Sequence, residues 1–554
     1  MRLTLRLLSS VVQRRPFYVT TPIFYVNAAP HIGHLYTAVV ADAIQRFEKL
    51  IDPDCNVIFS TGTDEHGTKI QQAAAKANLA PQEYCNKISE EYRTLFKDFD
   101  VEYTDFIRTT EERHKKAVHH FWKKLVKKDY IYKAKYSGWY SVNDESFVPE
   151  THVRDELRNG EQVKVSLESG HVVEWTEETN YMFRLSAFKT HLQEWLKNDG
   201  VITPSKFQKH LVDMVQNEAY FPDISVSRPS SRVHWAIRVP DDEEQSIYVW
   251  LDALVNYLTV LGYPDEDAMI KRGRPWPADV QVIGKDILKF HGIYWPAFLM
   301  ALNWPPPRRL VCHSHWTVCG AKMSKSCHNV VSPRLEPAPA PALRYMLLRE
   351  ATMHDDANYS QTKLINIANS ELADTLGNLG SRCCGAALNP RGEFPPLHAT
   401  ELGELRPGVA SELMDCVEAL HEICYNHYTN YQFYKAVDAV IHTLHVANLF
   451  FESHKPWELR KKPECQKELD VILHITMETL RISAIILQPI IPQLSEKLLD
   501  KLQIPKDSRS WQHCVTPSWR VQGAIYETKN IQGGKFVLFP RIYTDKKQKK
   551  SVSA

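Results

Sequence analysis

Two stretches far apart in the chain carry the same strand–helix–strand rhythm, and no other feature narrows the possible folds as much. In the first, Phe17–Thr20 reads as a strand, Leu35–Leu50 as a helix, Asn56–Thr61 as a strand and Lys69–Ala77 as a helix. The rhythm returns with strand-like Val280–Ile283, helix-like Ile287–Leu302 and strand-like Leu310–His313. Strands joined by helical crossovers form parallel sheets. Both stretches are therefore expected in one α/β sheet split by an insertion. After Ser332–Ala342, where Pro333, Pro337, Pro339 and Pro341 forbid a continuous helix, the patterning is helical to about Gln503 and reads as a separate bundle. A short β-like stretch, Lys535–Phe539, precedes Lys546, Lys547, Lys549 and Lys550, read as a solvated tail.

Composition excludes several classes. The chain has 554 residues, 44% hydrophobic and 24% charged, room for roughly three or four domains and unlike a disordered or collagenous protein. No run reaches the ~18 apolar residues of a membrane-spanning helix, so no membrane association is expected. With 67 Lys and Arg against 66 Asp and Glu, a polyanion must be held by local patches and not by the field of the whole molecule. Eleven scattered cysteines, including adjacent Cys383 and Cys384, suit a reducing compartment. Residues 1–16 hold Arg2, Arg6, Arg14 and Arg15 among leucines, valines and serines, and no acidic residue occurs before Asp42. That is the chemistry of a mitochondrial transit peptide.

Two motifs carry chemistry. Pro30-His31-Ile32-Gly33-His34 follows the first strand and opens a helix. Two imidazoles three apart can meet a phosphate at the positive end of that helix, with Gly33 leaving room for a nucleotide to approach. Gly320-Ala321-Lys322-Met323-Ser324-Lys325-Ser326 follows the returning strand, and its two lysines can clamp a pyrophosphate leaving group. Alone, each also fits a bland reading: helix-start histidines with structural roles, or a solvated basic loop. Together they resemble the two signatures of the class I aminoacyl-tRNA synthetases, the second in its five-residue form Lys322–Ser326.

Between them, Thr61–Gly67 (TGTDEHG), Tyr248–Ala253 (YVWLDA) through Tyr257, and Ile283-Gly284-Lys285-Asp286 with Phe290, His291 and Trp295 are similar to the methionyl-tRNA synthetase family. The similarity runs from about Phe17 to about Asp500. It implies an α/β architecture: a Rossmann-like parallel-sheet catalytic domain split by a connective insertion, followed by an all-α anticodon-binding helical bundle. The expected division is 1–16 transit peptide, 17–130 first half of the catalytic domain, 131–230 insertion without zinc, 231–331 second half, 332–360 linker, 361–510 anticodon-binding domain and 511–554 C-terminal extension. The resemblance assigns Ile23, Tyr25, Asp64, Trp250, Tyr257, Phe290, His291 and Trp295 to methionine, and His31, Gly33, His34, Gly284, Asp286, Lys322 and Lys325 to ATP. His31, His34, Lys322 and Lys325 are the expected catalytic groups. The chemistry agrees, since a thioether pairs well with aromatic rings and a substrate ammonium requires a carboxylate such as Asp64. Any one of Trp250, Tyr257 or Trp295 taken alone reads as core packing.

The chain departs from the family in two places. Many members carry a zinc knuckle of Cys-x-x-Cys pairs, but here Gly138–Asp144 puts Ser141 and Asp144 where thiolates would be, and no cysteine occurs between Cys85 and Cys312. No protein-bound zinc is expected there, because a structural site wants four thiolate or imidazole ligands. The cluster Cys312, His313, His315, Cys319 and Cys327 reads as structural. Pro337–Tyr345 (PAPAPALRY) replaces the usual turn before Leu-Arg-Tyr, which puts the turn geometry in doubt.

In the helical part, Asn378 and Arg382 lie one helical turn apart, and with Trp457 they match the family's anticodon-reading residues; stacking and edge hydrogen bonding suit loop bases. Lys115, Lys116, Lys123, Lys124, Lys127 and Lys128 either follow a tRNA backbone or form a solvated face. The expected activity joins L-methionine to tRNA(Met) through methionyl-adenylate, with Mg2+ accompanying ATP, by a monomer in the mitochondrial matrix. A pocket for a thioether rejects homocysteine by only ~1 to 3 kcal/mol, and the insertion is too small for a large editing domain, so homocysteinyl-adenylate is expected to be destroyed in the synthetic site. A nucleotidylyltransferase and a non-catalytic synthetase relative are the rival readings. The first leaves Asn378, Arg382 and Trp457 without a purpose, and the second is disfavoured by intact signatures.

Overall fold

The computed structural model describes residues 15–141, 146–148, 150–158, 160–167, 169–217, 221–273, 275–323, 329–521, 529–531 and 534–543. The leader before Arg15, Asp144, Lys325, Cys327 and the terminal lysines lie outside the described residues. The chain forms two compact units that interleave in sequence: residues up to 30, 56–97 and 102–314 make one, and 31–55, 98–101 and those from 315 on make the other.

The first unit is built on a seven-stranded sheet, ordered Ile202–Thr203, Leu310–His313, Val280–Gly284, Phe17–Thr20, Val57–Asp64 and Phe24–Tyr25, with Asp105–Arg108 also paired to Val57–Asp64. Every pairing is parallel. All eight residues of Val57–Asp64 are buried, as in the central strands of parallel sheets. Ligands of such sheets gather at the carboxyl ends of the strands, here marked by Thr20, Asp64, Gly284 and His313.

Within 131–230, Ile131–Ser141 pairs antiparallel with Glu174–Phe183, from Ile131 opposite Phe183 to Tyr140 opposite Glu174. The same stretch supplies the edge strand Ile202–Thr203 of the main sheet. Two readings of the sequence are corrected. Ile287–Leu302 is not one α-helix but a 3-10 turn Lys285–Ile287, a π-helical turn Phe290–Tyr294 and an α-helix Trp295–Ala301. Lys535–Phe539 is not a strand, because Lys497 Nζ takes the carbonyls of Val537 and Leu538; the pair formed is Glu393–Phe394 with Lys529–Asn530.

The second unit contains the helix Ile32–Ile51, a three-stranded sheet of Trp316–Val318, Ala321–Lys322 and Ala357–Tyr359, and long helices including Ser411–Thr429, Phe433–Ser453 and Gln466–Ile486. The proline-rich stretch does not unseat the helix Ala340–Glu350, since Pro341 falls in its first turn, where a missing N–H is no loss. That helix buries Arg344, whose guanidinium donates to Asp42 Oδ2 at 2.5 Å and to the carbonyls of Ile490 at 2.9 Å and Pro489 at 3.0 Å. No helix among the described residues is long and apolar enough to cross a membrane.

Candidate active site

In the second unit the first signature is a helix cap. His31 is the N-cap of Ile32–Ile51; its Nδ1 accepts from Gly33 N at 3.0 Å, and its own N–H donates to His34 Nδ1 at 3.2 Å. The two rings stack at 3.8 Å. Because each Nδ1 accepts a backbone proton, each Nε2 must carry the ring proton of a neutral imidazole, so both rings present Nε2–H as a donor. Burial, reinforced by His315, lowers the His31 pKa to about 4. Burial and then His31 hold His34 well below its usual range. Both rings are therefore neutral donors at pH 7, at the end of a helix whose dipole favours anions.

Gly33 has a reason the sequence did not reveal. A Cβ there would lie 2.9 Å from His31 Cε1 and 3.0 Å from its Nδ1, so the glycine makes room for the capping ring itself. The second signature reaches the same helix start: Ile32 N donates to Val331 O at 3.1 Å, and Met323 Cε is 3.8 Å from the Gly33 Cβ position. Lys322 is exposed at the end of Ala321–Lys322, where Asn329 Nδ2 donates to its carbonyl at 3.1 Å. Lys325 lies outside the described residues.

In the first unit, Asp64 ends its strand beside Tyr25 of the short strand Phe24–Tyr25, and Lys69 Nζ stands 5.9 Å above the Tyr25 ring. Ile23 and Tyr25 are half-buried. The helix Val249–Thr259 carries Trp250 and Tyr257, and the π-helical turn carries Phe290 and His291. Such turns re-aim side chains out of α-helical register and recur at functional sites. Trp250 stacks on Phe290 at 3.7 Å, and Tyr257 lies 5.9 Å from Trp295. His291 Nδ1 faces the Ile287 carbonyl at 3.0 Å, which can only accept, so Nε2 is bare and receives the Tyr257 hydroxyl proton at 2.7 Å. Burial lowers the His291 pKa to about 4, partly opposed by the Ile287 carbonyl. The aromatic cluster thus carries no charge at pH 7. Gly284 and Asp286 sit at the end of Val280–Gly284, with Asp286 exposed.

Sequence reasoning missed a network behind these residues. Asp252, on the helix of Trp250, meets His66 Nδ1 at 2.7 Å and His114 Nε2 at 2.8 Å. Burial alone would raise the Asp252 pKa, but the two imidazoles outweigh it and hold it at about 2. Two of these residues sit inside the quoted motifs, yet nothing local marks His114 as their partner.

No group of three or more His, Cys, Asp or Glu that could hold a metal occurs among the described residues. Ser141 is buried opposite Ser146 in its hairpin, and a serine hydroxyl is a poor substitute for a zinc-binding thiolate. Cys312 and His313 are buried in Leu310–His313, while Cys319 holds a left-handed turn with φ 52°.

In the helical part, Arg382 lies over Trp457 at 5.5 Å and over Phe451 at 4.6 Å, and its Nη1 pairs with Glu452 at 2.6 Å. Asn378 is exposed at the start of the same helix, Asn378–Cys384. Among the lysines of Glu112–Lys127 and its C-cap, Lys115 pairs with Glu112 at 2.7 Å and Lys128 donates to Ala301 O at 3.0 Å, intramolecular roles that fit a solvated face.

A family model described as class I tRNA synthetases (M) matches residues 17–384, and one described as the anticodon-binding domain of tRNA ligases matches residues 411–533. The mitochondrial methionine–tRNA ligase of Homo sapiens is 46% identical over 541 residues, which covers 95% of this chain and 90% of that one. Its counterpart in Bos taurus is 47% identical over 542 residues, with the same coverage of 95% and 90%. Among solved structures, Mycobacterium tuberculosis methionyl-tRNA synthetase in complex with methionyl-adenylate superposes with a TM-score of 0.86 at 36% identity, covering 95% of this chain and 100% of that one.

Proposed function

Because this chain belongs to the methionyl-tRNA synthetases of mitochondrial type, a class I family, we propose the following roles for its residues in making methionyl-tRNA(Met) from L-methionine, ATP and tRNA(Met). Asp64 receives the ammonium group of methionine. Ile23, Tyr25, Trp250, Tyr257, Phe290, His291 and Trp295 take its side chain, and the neutral His291–Tyr257 pair keeps that pocket free of charge. Gly284 and Asp286 serve the adenosine side of ATP.

A methionine carboxylate oxygen attacks the α-phosphorus, and the bond to the bridging oxygen of pyrophosphate breaks with its electron pair leaving on pyrophosphate. The Nε2–H groups of His31 and His34 donate to phosphate oxygens as charge shifts, a preorganised stabilisation that requires no proton transfer. Lys322 and Lys325 hold the departing pyrophosphate as mobile point charges. ATP enters with Mg2+, which neutralises phosphate oxygens. A ribose hydroxyl of the terminal tRNA adenosine then attacks the methionyl carbonyl carbon and AMP leaves, a step governed by proximity. Asn378, Arg382 and Trp457 read the anticodon by stacking and edge hydrogen bonds. The enzyme works without protein-bound zinc, as a monomer in the mitochondrial matrix.

The capping box at His31 and His34 supports this reading most directly, since it fixes both rings in the Nε2–H tautomer at a helix N-terminus beside the segment bearing Lys322. It is tested by exchange of pyrophosphate into ATP. His34→Ala is expected to lower kcat by ~10²-fold or more with methionine KM nearly unchanged. A raised methionine KM at unchanged kcat refutes the assignment.

A further inference from the structure

The Asp252 carboxylate is wholly buried, and so is His114; His66 is 3% exposed. Three separate pieces of chain meet there. His66 lies two residues beyond Asp64, His114 is on the helix Glu112–Lys127, and Asp252 is on the helix Val249–Thr259, two residues from Trp250. His114 grips that helix twice, through Asp252 Oδ1 at 2.8 Å and through Thr259 Oγ1 at 3.0 Å. His66 ties it to the Asp64 strand end, through Asp252 Oδ2 at 2.7 Å. The strand end is held from its other side as well: Trp235 Nε1 donates to Glu65 O at 2.6 Å, and Gly67 N donates to Trp235 O at 2.9 Å.

A buried carboxylate is expensive unless fully paired, and a hydrophobic residue would fill this space more simply. What a hydrophobic contact lacks is direction. Two charge-assisted hydrogen bonds from fixed ring nitrogens set the helix in one register, His66 against the strand end and His114 against the helix Glu112–Lys127. The methionine groups proposed above divide across this tie, with the ammonium-binding carboxylate on one side and the aromatic wall on the other.

We propose that Asp252 is a positioning residue for amino-acid recognition, its carboxylate joining His66 and His114 so that Trp250 and Tyr257 stand at a fixed distance from Asp64. The inference rests on the assignment of those three residues to methionine. Asp252 touches no substrate, so its loss acts on the spacing of the pocket. ATP groups, which lie on other elements, are left alone.

The test uses the full chain and methionine-dependent exchange of pyrophosphate into ATP, with folding checked by circular dichroism and thermal melting. Asp252→Asn keeps the shape and removes the charge. It is expected to raise methionine KM about 10-fold or more, within the range a displacement of about 1 Å produces, while ATP KM stays within about two-fold. Thr259→Val, which loses a hydrogen bond on the same helix but not the tie to His66, is expected to leave both KM values unchanged. Should Asp252→Asn fail to fold, His66→Gln, which keeps the Asp252–His114 bond, replaces it with the same expectation. Unchanged methionine KM, or methionine and ATP KM rising together, overturns the proposal. Trp250→Ala separates the two readings. If it leaves methionine KM unchanged, the pocket assignment fails; if it raises methionine KM while Asp252→Asn does not, only the positioning role fails.

Discussion

The substitution Gly33→Ala tests why the first signature contains a glycine. A Cβ would sit 2.9 Å from His31 Cε1 and 3.0 Å from its Nδ1, closer than packed carbon atoms tolerate, so the ring must leave its cap. The bond that its Nδ1 accepts from Gly33 N, at 3.0 Å, goes with it. Loss of an N-cap costs about 1 kcal/mol in stability. Removing an aligned donor from the reacting phosphate costs ~10²- to 10³-fold in kcat. Gly33→Ala and His31→Ala are therefore each expected to lower pyrophosphate exchange by ~10²-fold or more. The decisive comparison is the double variant. If the methyl group acts only by evicting the His31 ring, adding Gly33→Ala to His31→Ala does nothing further, and the coupling energy equals the whole Gly33→Ala loss, about 2.7 kcal/mol for 10²-fold. Additive losses reaching ~10⁴-fold in the double variant exclude eviction of the ring as the cause and place the glycine's role at the nucleotide.

Arg344→Met takes one of two paired guanidinium groups, Arg344 and Arg46, from the buried Asp42 carboxylate, and is expected to lower stability by about 3 to 5 kcal/mol in denaturant unfolding; a change below about 1 kcal/mol contradicts the role of Arg344 in the second unit. Arg382→Ala is expected to reduce tRNA charging by ~10- to 100-fold, the worth of one lost stacking and hydrogen-bonding group, with pyrophosphate exchange unchanged. Equal loss in both assays removes Arg382 from anticodon reading. His291, held at about 4 against a usual 6.5, is neutral when folded and takes up a proton on unfolding below pH 6.5. Its contribution is fully present above pH 6.5 and is lost as pH falls toward 4, about 3 kcal/mol at the low end. Melting temperature should fall through that window, with a shallower slope in His291→Asn; an equal slope in both proteins excludes the histidine as the cause.

Much of the fold is legible locally. Apolar runs over Phe17–Thr20 and Leu310–His313 coincide with the strands, because a parallel strand buried on both faces writes its burial into consecutive residues. The helix after the first signature begins at Ile32, ahead of the Leu35 expected from periodicity, because histidine is an unusual cap and propensity rules do not anticipate a ring nitrogen accepting Gly33 N–H. The π-helical turn Phe290–Tyr294 is hidden because its residues suit an α-helix equally well. The candidate site residues are legible only through motif resemblance, and the neighbourhoods that distant residues form around them are not legible at all. His66, His114 and Asp252 meet across long stretches of chain, and Arg382 meets Glu452 from another helix. Hydrogen-bond partners separated so widely leave no periodic trace.

One paired measurement shows whether this chain is an amino-acid-specific, anticodon-dependent ligase: amino-acid-dependent exchange of pyrophosphate into ATP, followed by charging of a tRNA bearing a CAU anticodon. The expected result is exchange with methionine, none with leucine or cysteine, and charging that fails when the anticodon is altered. No exchange with any amino acid, with tRNA present or absent, contradicts it.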